Sequence, residues 1–226
     1  MRLLSVLPAM LATVMLGAGA HPAAAASQDL LAGKGNWKVL KVGSKPKTRF
    51  ALNKGVLDIS ADKSVAFLYR EINPLRSTMP KLQWQWRVDR DIPATDLSAK
   101  GKDDRPAAVH LWFEDKSASV SGALSSLLGK PRVGYLMTYV WGGKQRAGSI
   151  IKNPYFPDKG MVIVLRDSRA KTGTWEMETR DIAADFRAAF GIAPQLSDLR
   201  HVSVSADTED TRTSSRSSIR KFRIVE

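Results

Sequence analysis

The stretch KGKDDRPAAVHLWFEDK, residues 100–116, concentrates side chains that can bind or act on a ligand: Asp103, Asp104, His110, Trp112 and Glu114. Successive side chains of a strand point to opposite faces. A strand through residues 106–114 therefore gathers His110, Trp112 and Glu114 on one face and Val109, Leu111 and Phe113 on the other. Upstream, KLQWQWRVD alternates in the same way: Leu82, Trp84, Trp86 and Val88 share an apolar face, and Gln83, Gln85 and Arg87 share a polar one. If the two polar sets lie on one sheet face, they form a groove with a flat indole, a carboxylate, amides and a guanidinium. Sugar rings suit such a groove, because their C–H faces stack on indole and their hydroxyls need short donors and acceptors. The expected ligand-binding set is Gln85, Arg87, Asp103, Asp104, His110, Trp112 and Glu114. A sheet face covered by a helix or loop, with Trp112 simply packed there, gives the same pattern.

Asp103 and Asp104 are a poor catalytic pair by themselves, since a general acid and base need a set separation across the substrate. In a loop they can instead ligate a hard cation through oxygen, cap a turn, or pair with Lys100, Lys102 or Arg105. The segment SADTEDT offers Asp207, Glu209 and Asp210 near a strand end, a weak calcium pattern that Asx and Ser/Thr turns explain equally well. No cofactor is expected otherwise. His110 and His201 show no zinc-ligand spacing, and neither a Gly-x-Ser-x-Gly elbow nor a Gly-rich phosphate loop is present. An enzyme acting on polysaccharide stays open as an alternative, with His110 or Glu114 as base and Arg87 as charge stabiliser. So does a structural or partner-binding envelope protein with no small ligand.

The 226-residue chain opens with Arg2 and the apolar run LLSVLPAMLATVMLGAGA, then HPAAAAS. This reads as an export signal over residues 1–26, with cleavage after Ala24-Ala25-Ala26. The expectation is an exported, periplasmic or secreted protein with no membrane insertion once the signal is removed. Cysteine is absent, which excludes disulfides, thiolate metal sites and a Cys nucleophile. The formal net charge is +13. The basic residues are spread from Lys34 to Arg223 rather than clustered, which argues against a nucleic-acid groove.

The elements that position these residues read as roughly ten strands between turn signals. They are NWKVLKV, GVLDISA, SVAFLYREI, KLQWQWRVD, AAVHLWFED, RVGYLMTYVW, GMVIVLRDS, TWEMETR, RHVSVSAD and SIRKFRIV. One helix is expected in RDIAADFRAAFG, with Asp181 as N-cap and Gly191 as stop; Asp185 stands where it can pair with Arg180. SGALSSLLGK is a second helix candidate. Trp84 and Trp86 are core candidates. Alternation cannot decide whether the face bearing Tyr135, Tyr139 and Trp141 is buried. The fold class is all-β, a single jelly-roll-like β-sandwich over residues 27–226 with one or two short inserted helices.

The segments LQWQWRVD, DDRPAAVHLWFED, GYLMTYVWGG, IIKNPYFPDKGMVIVL, WEMETRDIAADFRAAFG and VSVSADTEDT follow one another as in the bacterial domain-of-unknown-function 3047 family, which the chain resembles over roughly residues 35–225. The resemblance implies an exported, β-rich domain with no established activity. Jelly-roll domains often bind carbohydrate, which is fold-level analogy. The function expected from the residues and the resemblance together is an exported protein that binds a glycan or cell-envelope polysaccharide.

Overall fold

A computed structural model of the chain describes residues 27–33, 36–75, 77, 80–114 and 133–225. The candidate signal segment and the helix candidate SGALSSLLGK lie outside the described residues. The chain forms the expected all-β sandwich. Its strands are β1 (Ser27–Asp29), β2 (Lys38–Lys41), β3 (Arg49–Asn53), β4 (Val56–Asp62), β5 (Val65–Glu71), β6 (Lys81–Arg90) and β7 (Arg105–Glu114). They continue with β8 (Val133–Trp141), β9 (Ile150–Lys152), β10 (Gly160–Arg166), β11 (Glu176–Asp181), β12 (Leu199–Asp207) and β13 (Ser214–Val225). Each of the ten runs read from alternation overlaps one of these strands. The three strands it missed, β1, β3 and β9, are short, with five residues or fewer.

Two sheets face each other. In the first, which we call sheet A, the order is β11-β6-β13-β4-β3, with β1 also paired to β13. In sheet B the order is β2-β5-β12-β7-β8-β10-β9. Pairing is antiparallel throughout except between β8 and β10, which run parallel. Trp84, Trp86, Ile219, Phe222, Leu57 and Ile59 from sheet A meet Leu68, Val109, Leu111, Tyr139, Trp141, Val202 and Val204 from sheet B in one core. The tryptophans interlock edge to face: Trp84 against Trp86 at 5.3 Å and Trp86 against Trp141 at 5.7 Å. This settles the orientation of β8, whose aromatic face turns inward.

The expected helix is present as α1 (Ile182–Phe190). Asp181 accepts a bond from the Ala184 amide at 2.8 Å, and Gly191 ends the helix at φ 72°, a conformation that suits glycine. Phe186 packs into the core against Phe113. Asp185 takes the Arg180 guanidinium and the Tyr139 hydroxyl, the latter at 2.8 Å, so α1 is tied to β8 by a polar contact as well as by rings.

β6 and β7 lie in different sheets. This corrects the expectation that Gln85 and Arg87 share a face with His110 and Trp112: the whole core stands between the two sets.

Candidate functional site

The outer face of sheet B is built from cross-strand rows. One runs Lys38, Tyr69, Ser203, His110, Thr138, Val162 across β2, β5, β12, β7, β8 and β10. The next carries Glu71, His201, Trp112 and Leu136. Toward β7 its polar side chains, His110, Thr138, Ser203 and Ser205, are buried. His110 is buried, with Nδ1 3.0 Å from the Thr138 hydroxyl and Nε2 2.9 Å from the Ser205 hydroxyl. Burial, and then the charge of Arg105, push its pKa well below the usual histidine range, so the ring is neutral. A neutral imidazole holding two hydroxyls is a fastener between β7, β8 and β12.

Trp112 is equally hidden, at 2% exposure. Its indole N–H donates to the Ser203 hydroxyl at 2.9 Å, Phe67 meets its edge, and Tyr69 stacks over it with ring centres 6.3 Å apart and planes 15° from parallel. The expected stacking platform is thus buried, and Tyr69, only partly buried, is the aromatic beside it that borders solvent.

Tyr69 lines an open cleft of about 680 Å³ with Asn36, Lys38, Glu71, Asn73, Arg200 and His201 among its other walls. Glu71 and Arg200 face each other across β5 and β12 at 2.6 Å; the bond from Arg200 holds the Glu71 carboxyl below its usual range. His201 is tilted against Tyr69 at 6.1 Å. Its Nδ1 is buried with no hydrogen-bond partner, and burial lowers its pKa although Glu114 and Glu71 pull the other way. The cleft therefore offers an aromatic face, amides, an ammonium and an ion pair, a set able to hold a polyhydroxylated ring. Glu114, half-buried at the end of β7, borders a neighbouring cavity of about 270 Å³ beside Phe113, Tyr135 and Phe186.

Arg87 and Gln85 occupy the open outer face of sheet A. The Trp175 ring is held there between Arg87 and Arg220, whose guanidinium carbons stand 4.9 and 4.1 Å from the ring centre. Arg87 also pairs with Asp89 at 2.8 Å, and Gln85 accepts from Arg220 at 2.7 Å. The alternative constellation of His110 or Glu114 with Arg87 is not assembled, since Arg87 and His110 lie on opposite outer faces.

Asp103 and Asp104 immediately precede β7, whose first residue, Arg105, pairs with Asp207 at the end of β12. Arg105 lies 2.9 Å from Asp103 and 3.9 Å from Asp207. Burial works against the Arg105 charge, but Asp103 and Asp207 outweigh it and raise its pKa. Burial likewise lifts Asp103, and lifts Asp207 well above the carboxylate range, with Asp104 and Asp103 adding like-charge repulsion. Asp104 accepts from the Thr211 amide at 2.7 Å, from its hydroxyl, and from the Asp210 amide at 3.4 Å. It anchors the turn that carries the other acids. The three calcium candidates diverge: Asp207 faces Arg105, Glu209 pairs with Lys45 at 2.5 Å, and Asp210 is pushed to about 6 by burial and by neighbouring acids. Among the described residues no group of three or more His, Asp or Glu side chains is arranged to hold a metal ion.

Sequence reasoning missed Tyr69, His201 and Trp175. The signal that could have found Tyr69 is the alternation in VAFLYRE, which sets Phe67, Tyr69 and Glu71 on one face. The partner His201 lies 132 positions later, and only the sheet register brings it alongside.

Together these features define an all-β sandwich with an aromatic-floored cleft on one sheet and an arginine-rich open face on the other. The chain belongs to the family described as protein of unknown function, DUF3047, whose model matches residues 35–223. Among curated proteins none matches. Solved structures with a similar chain path include the xyloglucanase domain of NopAA from Sinorhizobium fredii, at 11% identity and a TM-score of 0.47, covering 89% of this chain and 98% of that one. Another is the family 11 carbohydrate-binding module of the cellulase Lic26A-Cel5E of Clostridium thermocellum, at 9% identity and a TM-score of 0.42, covering 89% and 95%.

Proposed function

We propose that this chain is an exported glycan-binding protein whose sugar site is the cleft beside Tyr69. The observation that carries the reading is the stack. Tyr69 lines an open polar cleft, its ring stacked against buried Trp112. An aromatic fixed before binding loses little conformational freedom when a sugar settles on it. Lys38, Asn36, Asn73 and the Glu71–Arg200 pair supply donors and acceptors of both signs at its rim. His110 and Trp112 serve as the support beneath, bonded to Ser205, Thr138 and Ser203. Export rests on the N-terminal apolar run that ends in small residues.

The test is a thermal-shift screen of the chain against neutral and anionic polysaccharide fragments, with salt sufficient to screen general attraction to a basic protein. One glycan class should raise the melting temperature in a saturable way, and Tyr69→Ala should remove that rise while the variant stays folded. A glycan response that survives Tyr69→Ala overturns the placement of the site; no response to any glycan overturns the function.

A further inference from the structure

On the outer face of sheet A, one cross-strand row reads Arg49, Ser60, Arg216, Arg90 across β3, β4, β13 and β6. The register shift at Asp89 brings Arg90 opposite Arg216. A bulge of this kind re-aims a side chain that strict alternation would send elsewhere. Three of the four positions are therefore cationic, and like charges directly opposite on paired strands destabilise a sheet. Among the described residues none of the three guanidiniums forms an ion pair; Arg90 donates to the Ser214 hydroxyl at 3.2 Å. The other arginines of this face are occupied. Arg87 is held by Asp89, Arg220 by Gln85 and Trp175, and Arg223 by Gln83.

The row borders a hollow of about 200 Å³, completed by Ser60, Ser214 and a single carboxylate, Asp62. Three guanidiniums against one carboxylate leave the hollow about two charges positive at neutral pH. Guanidinium forks fit tetrahedral oxyanions with two parallel bonds.

We infer that this hollow is an oxyanion site, taking a phosphate or sulfate group either as the free ion or as a substituent on a polymer. It lies on the sheet opposite the Tyr69 cleft and stands or falls separately from it.

Inorganic phosphate and inorganic sulfate are titrated into the full chain against chloride at constant ionic strength, with heat of binding and melting temperature as readouts. Saturable binding is expected, weakened about tenfold or more by Arg216→Gln, the size of losing a charge-assisted bond. Arg223→Gln, on the same face but tied to Gln83, should leave it unchanged. Dextran sulfate against unsubstituted dextran separates the two sources. Binding of the sulfated polymer alone, removed by Arg216→Gln, assigns a polymer-borne group; equal binding of the free ion assigns the ion itself. Loss of neither in the double variant R49Q/R216Q, or no binding beyond chloride for ion and polymer alike, overturns the site. Folding is checked in oxyanion-free buffer, where Arg216→Gln removes a like-charge neighbour and should melt no lower than the parent. A lower melting temperature would show that Arg216 is held by a partner within the protein and would remove the ground for the inference.

Discussion

Replacing Trp112 by Ala separates support from contact. The ring is 2% exposed, lies under Tyr69 and against Phe67, and bonds Ser203. Truncating a buried tryptophan to alanine costs about 3–5 kcal/mol through lost burial and the cavity left behind. The Ser203 hydroxyl, itself buried, loses its donor, which adds about 1 kcal/mol. For a domain of this size each kcal/mol moves the melting temperature by about 2–4 °C. A loss of ~4–6 kcal/mol therefore predicts a fall of roughly 8–24 °C, read by calorimetry or circular dichroism. Tyr69→Ala removes a ring with one face open, so its cost should stay near ~1–2 kcal/mol while glycan binding is lost. The two variants should thus cross over: Trp112→Ala costs stability first, and Tyr69→Ala costs binding first. If Trp112→Ala melts within about 3 °C of the parent yet binds no glycan, Trp112 is the contact surface and the assignment of Tyr69 is wrong.

Arg105→Met leaves Asp103 and Asp207 buried without their cation, which should cost about 3–5 kcal/mol at pH 7.5. Both carboxyls already have raised pKa values, so the loss should shrink as pH falls and they take protons; a pH-independent loss refutes the charge account. Asp210, at about 6 in the folded chain against an ordinary 3.8, binds more protons folded than unfolded between those values. Its contribution to stability therefore falls as pH rises through that window. Asp210→Asn should flatten that slope in urea melts at pH 4–7, by less than ~1 kcal/mol because the group is largely solvated. Gly143 sits at φ 85° with an added Cβ only 2.5 Å from Leu97 Cδ1. Gly143→Ala should cost about 2–4 kcal/mol in the same assay, and a neutral result refutes the tight approach.

The strands and their faces were legible because alternation is local. In β6, Leu82, Trp84, Trp86 and Val88 announce an apolar side, and all four are fully buried. What covers a face, and which strand lies beside which, depends on partners distant in sequence. β7 shows the limit. Its apolar face and its polar face are both buried, because Ser203, Ser205 and Thr138 arrive from β12 and β8 to satisfy His110 and Trp112. A polar side chain at an alternating position signals water or a hydrogen-bonding neighbour, and the sequence of one strand does not distinguish them. The same reasoning explains the division of the expected ligand set. Gln85 and Arg87 were placed correctly on the polar face of their own strand, but the sheet to which that strand belongs is set by β13 and β11.

β13 occupies the middle of sheet A, between β6 and β4, and also holds β1. Its twelve residues are the last described strand of the chain. During synthesis, β4 and β6 have no neighbour on their inner edges until residues 214–225 have left the ribosome. Trp84 and Trp86 have no Phe222 or Ile219 beside them until then. Consolidation of this half of the sandwich is therefore a late, all-at-once event, and any machinery that handles the nascent chain meets an open sheet with unpaired edges.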